Sequence, residues 1–300
     1  MGFTHQPIIG KTPASMFSEG TALVLEGGGT RGFYSAGVFE AFMDAGIMFP
    51  YIIGVSAGAA NALSYISGQC GRNLQIVECY VSNPRYLSRR NLVRHRSLFG
   101  MEFVFHEIPQ KHIFWDWEMF DRQAIRFLAG ALDCDSGQTV WFEKGDITPQ
   151  LEAVMASCSI PIVSPIVKYM GYSLLDGGIS DPIPIEKSIS DGNCFHVIVL
   201  TQNRGHSKEA FTHKFLLNLF YRKYPKLIDV VLHRHEVYRR QLELCESLVS
   251  EGKAFIIRPL KPLDVGRADS NTGKLLALHD EGHEEGAAAI EGILGKRGQQ

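Results

Sequence analysis

The sequence predicts an α/β fold with a mostly parallel central sheet covered by helices. Three observations carry this. Apolar runs of strand length alternate with segments of helical spacing near the N-terminus, glycine-rich turns separate two of those runs from the helices that follow, and two more apolar runs recur late in the chain.

Taken in order, residues 1–20 carry Pro7, Pro13, Ser15 and Ser18 without a sustained period and read as an N-terminal arm. TALVLE (Thr21 to Glu26) is a buried strand and GGGTRG a loop. FYSAGVFEAFMDAG then sets Tyr34, Val38, Phe42 and Ala45 at helical spacing, with Gly46 as cap. YIIG is a second strand and Ala57 to Ser67 a helix of small residues. From Asn73 to Asp146 the pattern is less regular, with helical pieces expected at Leu74 to Tyr80 and Phe120 to Leu132 and a strand at TVWFE. Thr148 and Pro149 fit the N-cap and first turn of a helix to Ser157. VKY and YSLL, separated by Met170 and Gly171, form a short hairpin ending in Asp176. FHVIVLTQ (Phe195 to Gln202) and KAFIIRP (Lys253 to Pro259) are further strands, and Glu209 to Ser250 is helical with a break at Pro225. No repeat or flexible linker divides the chain. One domain is expected over 21–300, with a helical C-terminal extension at 205–300.

Composition excludes several classes. The chain has 300 residues, 45% hydrophobic and 21% charged, which suits one large core or two modest ones and rules out disorder and fibrous repeats. Thirty Lys and Arg against 32 Asp and Glu leave a net charge of -2, so nucleic acid is not an expected partner. Cys70, Cys79, Cys134, Cys158, Cys194 and Cys245 show no CxxC spacing, and the N-terminus has no signal-peptide pattern; reduced thiols in a cytoplasmic protein are expected. Ala45 to Gly71 lacks any charged residue, yet its Pro50, Asn61, Gln69, serines and five glycines argue for a strand, turn and helix instead of a membrane span.

Three motifs carry chemistry. Gly54-Val55-Ser56-Ala57-Gly58 is a GxSxG between a strand and a helix, the setting in which a sharp turn lifts a serine clear of the backbone beside a helix N-terminus. Gly27-Gly28-Gly29-Thr30-Arg31-Gly32 also separates a strand from a helix. It satisfies GxGxxG, but Tyr51 to Val55 offers no acid for a ribose, and uncovered glycine amides equally suit an oxyanion hole, with Arg31 as a fixed charge or loop anchor. Asp176-Gly177-Gly178 places a carboxylate at a strand end; alone it is a good hairpin turn. Seven histidines follow Asp176, as an α/β-hydrolase triad would require, but no motif singles one out. His279 and His283 stand four apart on a helix without a third metal ligand in view.

In this order, and with Ala156-Ser157-Cys158-Ser159-Ile160-Pro161 matching an ASxxxP block, the motifs resemble the patatin-like phospholipase family over about Thr21 to Leu200. The layout is most similar to a bacterial branch. The resemblance implies a three-layer sandwich and a Ser/Asp dyad: Ser56 as nucleophile, Asp176 as base, the Gly27, Gly28 and Gly29 loop with Arg31 and Gly32 as oxyanion hole, Gly54 and Gly58 shaping the elbow, and Gly177 and Gly178 the acid loop. It implies hydrolysis of lipid acyl esters with no metal or cofactor. Asp181 departs from the pattern, since the family often has Asn there. The rival readings are a dinucleotide-dependent oxidoreductase and a catalytically silent lipid-binding protein.

Charge is segregated along the chain. Asn83 to Ser97 holds Arg85, Arg89, Arg90, Arg94 and Arg96 and no acid, and Lys208 to Arg240 holds eight basic residues against Glu209, Asp229 and Glu236. A solvated face explains both; contact with anionic headgroups at the inner membrane face is the functional alternative, with Phe99, Phe103, Phe105, Trp115 and Trp117 as candidate entrance aromatics.

Overall fold

In the computed structural model, which describes residues 8–11, 13 and 15–297, strands and helices alternate from the start. The first part contains β1 (Ser15–Met16), β2 (Thr21–Leu25), α1 (Phe33–Asp44), β3 (Ile47–Met48), β4 (Tyr51–Val55), α2 (Ala57–Ile66), α3 (Arg72–Tyr80) and α4 (Arg89–His95). A π-helical stretch, Phe103–His112, leads to α5 (Trp117–Arg122), β5 (Arg126–Asp133), β6 (Thr139–Glu143), α6 (Glu152–Ser157) and the hairpin β7 (Val167–Tyr169) and β8 (Tyr172–Asp176). The remainder is α7 (Ile185–Ser190), β9 (Phe195–Val199), α8 (Lys214–Tyr221), α9 (Pro225–Ser250), β10 (Ala254–Ile257) and α10 (Thr272–Arg297).

Eight strands form the central sheet in the order β10-β9-β2-β4-β5-β8-β7, with β6 also on β5. The first five run parallel; β6 and β8 are antiparallel to β5, and β7 to β8. Strand alternation sorts the core into two layers. Leu23 and Leu25 of β2 face a cluster with Tyr34, Phe39, Phe42 and Leu278 of α1 and α10, whereas Ala22 and Val24 face one with Ile185, Tyr238 and Leu248 of α7 and α9. Helices thus cover both faces, and the fold is a three-layer α/β sandwich. Among the described residues no helix is long and apolar enough to cross a membrane.

The expected elements differ from the structure at four places, one being that the helix expected from Glu209 starts only at Lys214. Phe120 to Leu132 is not a helix: α5 ends at Arg122, and the following segment is β5, a central strand. RFLAGALD is a short apolar run that helical and strand readings fit equally, and burial on both faces of the sheet decides for strand. Thr148 is not the N-cap of α6: its hydroxyl accepts from Gln150 N at 3.3 Å and donates to Glu152 Oε2 at 2.9 Å, and Leu151 at φ 60° delays the helix start to Glu152. Part of the arm, residues 1–7, 12 and 14, lies outside the described residues. In its described part β1 pairs with β3, Phe17 is buried, and Gly10 N donates to Asp116 Oδ2 at 3.3 Å.

Candidate active site

Strand register brings the motifs together. β2 and β4 are parallel neighbours, so the glycine loop and Ser56 leave the same edge of the sheet. Val55 is opposite Gly130 and Asp176 opposite Ala131, which sets Asp176 of β8 across the intervening β5 from Ser56 at the carboxyl end of β4. Ligand crevices of open α/β sheets lie at such carboxyl ends.

Ser56 occupies a sharp turn at φ 53° and ψ -132°, a backbone region that costs on the order of 1–3 kcal/mol and persists only when neighbours hold it. The neighbour here is Ser157. Its hydroxyl accepts from Ser56 N at 2.8 Å and donates to Gly130 O at 2.6 Å. Ser56 Oγ in turn donates to Asp176 Oδ2 at 2.8 Å, both side chains being buried. Asp176 Oδ1 accepts from Gly178 N at 2.7 Å, and Asp176 N donates to Ser159 O at 2.7 Å, fixing the carboxylate in orientation. Burial pushes the Asp176 carboxyl above the usual carboxylate range, against the pull of the Ser56 hydrogen bond and of Arg234. A carboxylate raised in this way is a stronger base at neutral pH. Among the described residues no histidine hydrogen-bonds to either side chain; His196 lies in the core, bonded to Ser188 Oγ at 3.0 Å, with burial pushing it down to about 4.

The glycine loop closes over this pair. A Cβ at Gly27 would stand 2.8 Å from Ser56 Cβ, so only glycine lets the loop approach. Its other side is filled by protein: Thr201 Oγ1 donates to Gly27 O at 3.1 Å, and Thr30 N donates to Arg267 O at 3.0 Å. The amides of Gly28 and Gly29 donate to no acceptor among the described residues, and both glycines line one small chamber with Ser56 and Asp176. Arg31 Nε donates to Val265 O at 2.8 Å, Gly32 O accepts from Asn61 Nδ2 at 2.8 Å, and Gly54 and Gly58 let α2 lie against Leu25. Gly177 packs on the Gly130 carbonyl. The other sequence candidates sit elsewhere: His279 lies 3.3 Å from Glu40 and His283 2.8 Å from Asp44, both carboxylates on α1.

Beside Ser56 an apolar cavity of about 110 Å³ runs between α2, α3 and the π-helical stretch, lined by residues such as Phe33, Ile76, Phe99, Val104, Phe105 and Ile108. Of the proposed entrance aromatics, Phe99 and Phe105 therefore border the cavity, while Trp115 and Trp117 pack on Phe120 in the core.

Several site residues were not legible as such in the sequence. Ser157 fell within the ASxxxP block without a role. Cys158 lines the apolar cavity with Ser56, and burial pushes its thiol far up. Glu26 accepts from Thr201 N at 2.8 Å and pairs with Lys208 at 3.1 Å; burial pulls Lys208 down to about 7. Arg234 Nε donates to Gly178 O at 2.6 Å. Asp181, where the family pattern has Asn, accepts from Gln241 Nε2, and burial pushes it up to about 6.

Comparison with known proteins places these features. A family model for patatin-like phospholipase matches residues 23–188, and one described as a domain of unknown function (DUF6363) matches 224–294. The chain is 26% identical over 260 residues to the uncharacterized protein YjjU of Escherichia coli, covering 81% of this chain and 69% of YjjU. It is 28% identical over 168 residues to the uncharacterized NTE family protein Mb1092c of Mycobacterium bovis, covering 55% of this chain and 44% of that one. With lysophospholipase NTE1 of Scheffersomyces stipitis identity is 25% over 189 residues, 61% of this chain but only 12% of the relative. Since the family model spans more than half of the chain and includes both Ser56 and Asp176, the protein belongs to the patatin-like phospholipase family.

Proposed function

We propose that this protein is a serine hydrolase that cleaves fatty-acyl esters of phospholipids or lysophospholipids through an acyl-Ser56 intermediate. The observation that carries the reading is the 2.8 Å hydrogen bond from Ser56 Oγ to Asp176, set between the apolar cavity and the glycine loop. Asp176 takes the hydroxyl proton as Ser56 attacks the ester carbonyl, and the oxyanion that forms is held by the Gly28 and Gly29 amides. The intermediate collapses with release of the alcohol, to which Asp176 returns the proton. Water then attacks the acyl-serine, losing its proton to Asp176, and the fatty acid leaves as the serine is reprotonated. The apolar cavity accepts the acyl chain. The relatives named as lysophospholipases support the substrate class, and the packing of α10 on α1 supports treating 21–300 as one catalytic unit.

Lipid would be met at a surface. On α8, Phe215, Leu219 and Phe220 are 72%, 64% and 57% exposed, next to the exposed Lys214, Arg222 and Lys223. On α4, Val93 and Leu92 are exposed among Arg89, Arg90, Arg94 and Arg96. Basic residues around exposed apolar ones suit an anionic membrane interface.

Hydrolysis of a lysophospholipid and of a medium-chain p-nitrophenyl ester by the wild type, Ser56→Ala and Asp176→Asn tests the reading. Either substitution is expected to lower kcat by roughly 10⁴-fold or more, and a fluorophosphonate is expected to label Ser56. Equal rates in all three proteins would refute the dyad; no turnover or labelling in the wild type would favour the silent lipid binder.

A further inference from the structure

A second cavity, of about 550 Å³, adjoins the reaction chamber and sets several basic side chains among apolar ones on its wall. The chamber holding Ser56 and Asp176 connects the two: it shares Gly29, Ser56 and Ile160 with the apolar cavity, and Lys208, Arg234 and Arg267 with the larger one. Arg31 also lines the larger cavity, so four cationic side chains converge beside the chamber. The facing acids are few. Glu26 is committed to Lys208, Asp176 to Ser56 and Gly178, and Glu209 is exposed.

Three of these cations make no direct ion pair among the described residues, although the charges of Glu26 and Asp176 reach Arg234 and that of Glu26 reaches Arg31. Among the described residues, Arg31, Arg234 and Arg267 take part in no ion pair; Arg31 and Arg234 each spend only Nε, on the carbonyls of Val265 and Gly178. They are also close enough to disturb one another. Burial, and then the Arg267 charge, pull both Arg31 and Arg234 below the ordinary guanidinium range. Arg31 and Arg234 are partly buried and Arg267 is exposed at the cavity's edge; like charges brought together in this way favour an anion between them, and forked guanidinium donors match the tetrahedral oxygens of a phosphate. Arg234 is carried by α9 and Arg267 by the loop before α10, both within residues 224–294, outside the stretch matched by the phospholipase model.

We propose that residues 224–294 complete the site as a phosphate-recognition element: Arg234 and Arg267, with Arg31 and Lys208, hold the phosphate of a glycerophospholipid whose acyl ester lies at Ser56 and whose chain fills the apolar cavity. This rests on the ester-hydrolase reading. The substrate is then a phosphate-bearing lipid, and a neutral acylglycerol is a poor one. Two of the four donors to the phosphate, Arg234 and Arg267, come from the C-terminal region, which supplies neither Ser56 nor Asp176.

Binding of a monomeric 1-O-alkylglycerol 3-phosphate, an ether that no esterase can cleave, tests the proposal apart from hydrolysis. Titration calorimetry on the full chain compares it with the same alkylglycerol lacking phosphate and with inorganic phosphate. The wild type is expected to bind the phosphorylated ether at least about 10-fold more tightly than either comparator. Arg267→Gln, on an exposed loop where folding is not at stake, and Arg234→Gln are each expected to reduce that preference by about 10-fold or more. In the catalytic arm, the ratio of kcat/KM for a lysophospholipid over a monoacylglycerol is expected to fall in both variants. Equal affinity for the two ethers, an unchanged preference in both variants, or inorganic phosphate binding as tightly as the ether phosphate would each overturn the proposal. Ether-phosphate binding without any ester hydrolysis would leave it standing and remove only the enzyme reading.

Discussion

Asp181 illustrates how one half-buried side chain ties stability to pH. Its carboxyl, pushed up to about 6 by burial, keeps its proton in the folded chain between about pH 4 and 6, where the unfolded chain has lost it. Its contribution to stability therefore falls as pH rises through that window, and the loss is complete above about 6. Asp181→Asn keeps an acceptor for Gln241 Nε2, whose Oε1 accepts from Ile183 N at 2.9 Å, and removes the ionisation. Urea unfolding is expected to find the variant more stable by about 1–3 kcal/mol at pH 8, with the gain shrinking toward zero near pH 4. A gain independent of pH would trace it to packing.

At the scale of elements, α10 and α1 approach as closely as backbones allow. A Cβ at Gly37 would stand 1.9 Å from His279 O, and one at Gly282 2.1 Å from Tyr34 O. Polar pairs flank the seam: Tyr34 donates to Glu285 Oε2 at 2.6 Å, and His283 and Asp44 are 2.8 Å apart. Gly282→Leu must push the helices apart, at a cost of about 1–3 kcal/mol or more, and α1 carries the glycine loop at its start. Thermal unfolding is expected to drop by several degrees, whereas Gly295→Ala, whose Cβ meets nothing, leaves it unchanged. Equal melting of the two variants would mean that the seam is not under close-packing constraint. Such contacts between helices more than 200 residues apart leave no trace in local periodicity, so the sequence shows only a helical C-terminal extension without its partner.

For the whole molecule, the apolar cavity, the reaction chamber and the cationic cavity share lining residues with one another. The exposed apolar side chains of α8 and the basic residues of α4 and α8 are the surfaces that would meet a lipid interface. Each buried Phe or Leu side chain is worth about 1.5–3 kcal/mol. Phe215→Ser with Leu219→Ser is accordingly expected to weaken sedimentation with vesicles containing anionic phospholipid by 10-fold or more, and raised salt to weaken wild-type binding. Unchanged binding in the double variant would exclude α8 as the contact.

The sequence by itself determined the α/β class, most strands, the strand-turn-helix setting of Ser56, and the candidacy of Asp176, because periodicity and glycine placement are local properties of the chain. It misread β5, since a short apolar run has no period that separates strand from helix. It could not place Ser157, Lys208, Arg234 or Arg267 at the site. Their positions depend on register across β4, β5 and β8 and on α9 and the 260s loop folding back over β2, and only tertiary packing decides those. The basic excess of Lys208 to Arg240 was legible as charge; that Lys208 turns inward to Glu26 and Arg234 toward Asp176 was decided by the fold.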